Sequence, residues 1–127
     1  MHSGIVGVIT ATALESQGRL DEPSKKAQIL RQLVQNFPRF APAWMDFAKT
    51  VNTDSEKLAA IEKGLEARPD PDTKGMLLIN KALVLDRAGD HSGAIRLLGE
   101  LALDPKSTYG TEHLAKASLA MVAGKAN

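Results

Sequence analysis

Part of this 127-residue chain repeats itself thirty-four residues later. Trp44, Phe47, Ala48 and Val51 return as Leu78, Lys81, Ala82 and Leu85, and Ala60-Ile61 returns as Ala94-Ile95. A fixed period of this length marks stacked helical hairpins, each too small to bury its apolar face alone. The four residues of the first set fall at i, i+3, i+4 and i+7, one stripe along a helix. The small Ala48 and Ala82 let two helix backbones of a hairpin approach closely, with Trp44 filling the wider space beside them. The second helices carry the matching faces, Ala60, Ile61 and Leu65, then Ala94, Ile95, Leu98 and Leu101.

Helix punctuation agrees with this reading. Pro38, Pro69 and Pro105 each follow an apolar-periodic run, and Gly18, Gly89 and Gly124 sit where helices should turn. Asp54, Ser55, Asp72, Thr73, Asp90, Ser107 and Thr108 are candidate N-caps. Helices are predicted over 4–17, 23–36, 41–51, 54–67, 73–88, 91–102 and 108–122, about seven in all. No strand pattern competes, and the short connections favour antiparallel neighbours. The expected fold is all-α, in one domain spanning 1–127.

Composition closes several functional classes. The chain has no cysteine, which excludes disulfides, thiolate-bound metal and a cysteine nucleophile. Sixteen basic and fifteen acidic residues give a net charge of +1. No basic stripe of the kind nucleic acid needs is visible, and the Lys and Arg between Arg19 and Arg39 read as a solvated face. The apolar stretch Gly4–Leu14 lacks a basic lead-in and is too short to span a bilayer. It reads as a first helix packing on the next, and the expectation is a cytoplasmic protein with no membrane partner. The sequence is equally compatible with one piece of a longer protein.

His2, His91 and His113 have no second ligand at i+3 or i+4, so no metal is expected. Asp90-His91 reads as a turn in which Asp caps and His is exposed. Gly124-Lys125 lacks the upstream glycine of a phosphate loop, and no serine elbow, paired-carboxylate cleft or dinucleotide fingerprint appears. Neither enzymatic activity nor a cofactor is expected.

The repeating residues resemble the tetratricopeptide repeat family, whose pattern runs Trp-x2-Leu-Gly-x2-Tyr, then Ala-x3-Phe, then Pro. Here it stands as Trp44-x2-Phe47-Ala48-x2-Val51, Ala60-x3-Gly64 and Pro69. A second copy reads Leu78-x2-Lys81-Ala82-x2-Leu85, Ala94-x3-Leu98 and Pro105, with Gly89-Asp90 at its internal turn. The match covers residues 41–105, and Gly64 departs from it by replacing a bulky residue. The resemblance implies a right-handed superhelical stack of antiparallel helix pairs, an α-solenoid. A degenerate first hairpin would span 4–38, repeats 41–69 and 73–105, and a closing helix 108–122.

In this family the first helices of successive hairpins line a concave groove that holds a peptide. The resemblance therefore implies a protein-interaction scaffold for a protein or peptide partner. It places Met45, Lys49 and Asn52 on the groove from one repeat and Met76, Ile79, Leu83, Asp86 and Arg87 from the next. The closing helix would add Thr111, Leu114, Ser118 and Met121. Apolar anchors would be Met45, Ile79 and Leu83, with Lys49 and Arg87 gripping an acidic group. Leu83→Glu is then expected to abolish capture and leave the fold intact. The chaperone-tail clamp known in one subfamily is not expected, because Met45, Ile79 and Leu83 stand where its polar residues would be and Asn80 alone fits.

A plainer reading of Ile79 and Leu83 stays open. The helix from Met76 to Leu85 is apolar nearly all round, and such a helix is either covered on every side or offers a patch. Leu77 and Val84 are expected on the preceding hairpin, while a terminal helix could bury Ile79 and Leu83. Two other functions compete. One is a homo-oligomer formed through the apolar N-terminal helix or through the closing helix with its Ala115, Ala117, Ala120 and Ala123. The other is a nucleic-acid accessory role, which the missing basic stripe argues against.

Overall fold

The computed structural model describes residues 23–124, which form six helices and, among the described residues, no strand. They are α1 (Pro23–Asn36), α2 (Ala41–Thr50), α3 (Asp54–Glu66), α4 (Pro71–Arg87), α5 (His91–Leu103) and α6 (Tyr109–Gly124). Each lies within two residues of its expected bounds. The seventh expected helix, 4–17, lies outside the described residues. No described helix is long and apolar enough to cross a membrane.

Local chemistry sets the helix ends. Thr53, not Asp54 or Ser55, caps α3: its hydroxyl accepts from the Glu56 amide at 3.1 Å, and its own amide donates to the Glu56 carboxylate at 3.3 Å. This reciprocal pair satisfies two of the amides that the first turn leaves unbonded. Asp70 caps α4 ahead of Pro71, whose missing N–H costs nothing at a helix start. That choice starts α4 two residues before the predicted Thr73. Asp90 caps α5, and Thr108 accepts from the Thr111 amide at the start of α6.

The C-terminal ends of α3 and α4 differ for a covalent reason. After α4, Gly89 adopts φ 106°, its amide bonds to the Asp86 carbonyl and the Asp90 amide bonds to the Leu85 carbonyl. After α3, Arg68 takes the left-handed position at φ 55° and bonds to the Leu65 carbonyl at 3.4 Å. The second bond of this motif cannot form there, since Pro69 has no N–H to donate.

Consecutive helices pack on one another throughout, and α4 also packs along α6. Cross-contacts give the directions. Lys57 of α3 donates to the Ala48 carbonyl near the end of α2, and Gly64 at the far end of α3 faces Trp44. Between α3 and α4, Arg87 meets Asp54 at 2.8 Å and Lys81 meets Glu62 at 2.7 Å. Both pairs of helices are thus antiparallel. The thirty-four-residue spacing survives as a burial register: Ala41, Ala43, Ala48, Ala60 and Gly64 are buried, and so are Gly75, Leu77, Ala82, Ala94 and Leu98.

Gly64 stands where the repeat pattern has a bulky residue because its place is already filled. A Cβ there would lie 3.1 Å from Trp44 Cβ and 3.2 Å from the Leu77 methyls. Two clusters make up the core. The first joins Leu33, Val34, Phe47 and Ile61 of α1 to α3 with Leu77 and Val84 of α4. The second joins Ile79 and Ala82 of α4 to Leu98 and Leu101 of α5 and Ala115 and Val122 of α6. One helix, α4, therefore serves as a wall of both.

Candidate functional site

The place where α4 and α6 lie together is built from their smallest contact outward. Gly75, in the second turn of α4, sits against Thr111 in the first turn of α6 so closely that any Cβ at 75 would overlap that side chain. Thr111 is itself buried and tied to the Thr108 hydroxyl at 2.9 Å. From that close approach the two helices run in the same direction. At their C-terminal ends Leu83, Asp86 and Arg87 of α4 and Met121 of α6 line a shallow open depression of about 560 Å³, completed by Gly89 and His91.

The depression has an apolar side and a polar side. Met121 is 53% exposed, and Leu83 is half-buried with its inner surface on the second core cluster. Opposite them, His91 Nδ1 lies 2.9 Å from an Asp86 carboxylate oxygen, and the Asp86 side chain is only 9% exposed. A carboxylate can only accept, so Nδ1 carries the hydrogen of this contact. Nε2 is buried and has no hydrogen-bond partner among the described residues. Arg87 reaches the other way, its Nε and one terminal nitrogen donating to a single Asp54 oxygen at 3.0 and 2.8 Å. Its guanidinium is therefore held in place over the α2–α3 turn side and not directed freely into the depression.

The expected groove residues separate into three groups. Leu83, Arg87 and Met121 come together with Asp86 in the depression. Ile79 does not: it is 1% exposed in the second core cluster, so it cannot serve as an anchor on an open surface. α6 contributes Ala115 and Val122 to that cluster, and Thr111 and Ser118 of the same helix, also expected on the groove, are buried too. Leu114 is half-buried against the same cluster. On α2, Met45 packs partly against the first cluster, Lys49 is exposed 4.0 Å from Asp46, and Asn52 is exposed beyond the helix end. Met76 is half-buried.

Two features of the site escaped sequence reasoning. His91 is not the exposed turn residue expected but a half-buried partner of Asp86. The Gly89-Asp90 turn folds residue 91 back over the last turn of α4, and the spacing of the two across that turn was the available signal. The Gly75–Thr111 approach had no such signal, because α6 matches neither repeat closely. Among the described residues no group of three or more His, Asp or Glu side chains could hold a metal ion. No protein-family model matches the chain, and no curated protein matches it significantly.

Proposed function

We propose that this chain is a protein-interaction scaffold of the tetratricopeptide type, in which stacked helix pairs present the depression between α4 and α6 to a short peptide or partner helix. The single observation that carries this reading is the meeting of the exposed Met121 and half-buried Leu83 with a polar pair, Asp86–His91, that is already fixed. An apolar anchor beside pre-positioned polar groups suits recognition, because little side-chain freedom is lost on binding. The reading includes no catalytic step and no cofactor, and it includes a cytoplasmic setting.

Met121→Glu is the variant that tests it. Leu83 is a poor probe, since its inner surface belongs to the core and a carboxylate there would be desolvated on folding. Met121 is exposed enough to change without touching that core. Proteins retained from lysate by the parent and not by Met121→Glu would be identified and the responsible segment titrated as a purified peptide. Loss of about ten-fold or more in affinity is expected, as for truncation of an anchor. Equal affinity for parent and variant would remove the depression from consideration.

A further inference from the structure

A different part of the surface is set apart by its charge. From residue 23 to residue 45 the sequence has four basic side chains, Lys25, Lys26, Arg31 and Arg39, and no Asp or Glu. From residue 46 to residue 124 it has ten Lys and Arg against twelve Asp and Glu. The positive end coincides with α1 and the α1–α2 connection. That connection, Asn36 to Phe40, lines a second open depression of about 470 Å³. Phe40 is 47% exposed there, Arg39 is exposed beside it, and Phe37 has its inner surface on the first core cluster.

The corner is rigid for a connection of its length. Trp44 Nε1 donates to the Pro38 carbonyl at 2.8 Å, and the Phe37 and Phe40 amides bond to the Leu33 and Phe37 carbonyls. Arg31, on the exposed side of α1, lies over the Phe47 ring at 5.3 Å.

We propose that the α1–α2 corner is a second docking surface, for an acidic segment of another protein that carries one aromatic or leucine side chain. The apolar side chain enters between Phe37, Pro38 and Phe40, and flanking carboxylates meet Arg39 and Arg31. Charge complementarity selects this occupant: an exposed aromatic alone would accept many apolar groups, but Arg39 is the charged side chain among those lining the depression, and it steers an acidic segment in. The surface is independent of the α4–α6 depression, so either can fail without the other.

The lone tryptophan reports on the site directly, being bonded to Pro38 on its lip. An array of short peptides, each with one Phe or Leu flanked by Asp and Glu, would be screened on the full chain and positives titrated by Trp44 emission. Expected are peptides whose affinity falls about ten-fold or more on replacing the peptide's apolar residue by Ala, on amidating its acids, and with Arg39→Glu or Phe40→Ala protein. Affinity should also weaken as salt is raised. Arg39 is exposed, so Arg39→Glu should leave the melting temperature unmoved. The proposal is overturned if no acidic peptide binds at about 1 mM, or if binding survives Arg39→Glu. It is also overturned if a single-stranded oligonucleotide displaces the peptide at lower concentration, or if sedimentation shows a dimer that Arg39→Glu dissolves.

Discussion

Replacing Gly75 by Ala should destabilise the protein, although the same change in a helix interior normally does the opposite. Ala favours the helix over Gly by about 0.8–1.0 kcal/mol. At Gly75 the added Cβ would overlap the Thr111 hydroxyl and lie 2.7 Å from its methyl and 2.8 Å from its Cβ. Such contacts are not relieved by a small rotation, because Thr111 is buried and bonded to Thr108 through both its hydroxyl and its amide. Overpacking of this kind costs about 1–3 kcal/mol, and loss of the Thr108 bond about 1 kcal/mol more. The net expectation is a loss of about 1–3 kcal/mol, once the helix gain is subtracted.

Gly99 supplies the control. It lies inside α5, and a Cβ there meets nothing within 4 Å, so Gly99→Ala should stabilise by about 0.5–1 kcal/mol. Urea unfolding followed by circular dichroism would compare the two, the difference amounting to roughly 4 °C per kcal/mol in melting temperature for a chain of this size. Thr111→Ala should partly rescue Gly75→Ala, with a coupling of about 1 kcal/mol in the double-mutant cycle. Rescue is partial because the 2.8 Å approach to Cβ remains. If Gly75→Ala stabilised as much as Gly99→Ala, the close approach of α4 and α6 would be wrong, and with it the alignment that brings Met121 to Leu83.

Three further outcomes test the turns and caps. Gly89→Ala should cost about 1–2 kcal/mol from backbone strain alone, since φ is 106° and a Cβ there meets no neighbour; a change below the error of urea titration would contradict the left-handed turn. Arg68→Gly should stabilise by about 0.5–1 kcal/mol in the same assay, relief at φ 55° outweighing the added freedom of the unfolded chain; destabilisation would show that the Arg68 side chain contributes more than its backbone costs. The hydrogen bonds from the Thr73 hydroxyl and amide hold the Asp70 carboxyl below its ordinary value of 3.8. A depressed folded-state value contributes stability that is present above 3.8 and disappears as pH falls through the folded value. The melting difference between parent and Asp70→Ala should therefore be constant near neutrality and shrink under acid; a difference independent of pH would deny the cap.

Helix positions were legible because they rest on local signals: apolar periodicity, prolines and glycines. The errors fall where two local signals compete. Thr53 displaced Asp54 and Ser55 as a cap because Glu56 could return a bond to its amide, and Asp70 displaced Asp72 and Thr73 because Pro71 prefers the first helical position. Surface residues were harder, since exposure depends on neighbours remote in sequence. Leu77 and Ile79 are both fully buried, yet they belong to different clusters on opposite sides of α4. The spacing places them on different faces of one helix but says nothing about what covers each. The all-round apolar character of α4 admitted either a cover or a patch, and the structure contains both: a cover over Ile79 and Ala82, and a patch at Leu83.

That division has a consequence for how the molecule holds together. A hairpin stack in which each pair had its own core could lose its last pair and keep the first. Here Leu77 and Val84 complete the core of α1 to α3, while Ile79 and Ala82 of the same helix complete the core of α5 and α6. Detaching either cluster exposes one whole apolar side of α4, so neither half has a closed core without the other. The α4–α6 depression stands at one edge of this shared wall, its apolar floor continuous with the second cluster through Leu83. The α1–α2 corner rests on the first cluster through Phe37. Among the described helices α4 is therefore the element on which the supports of both surfaces rest.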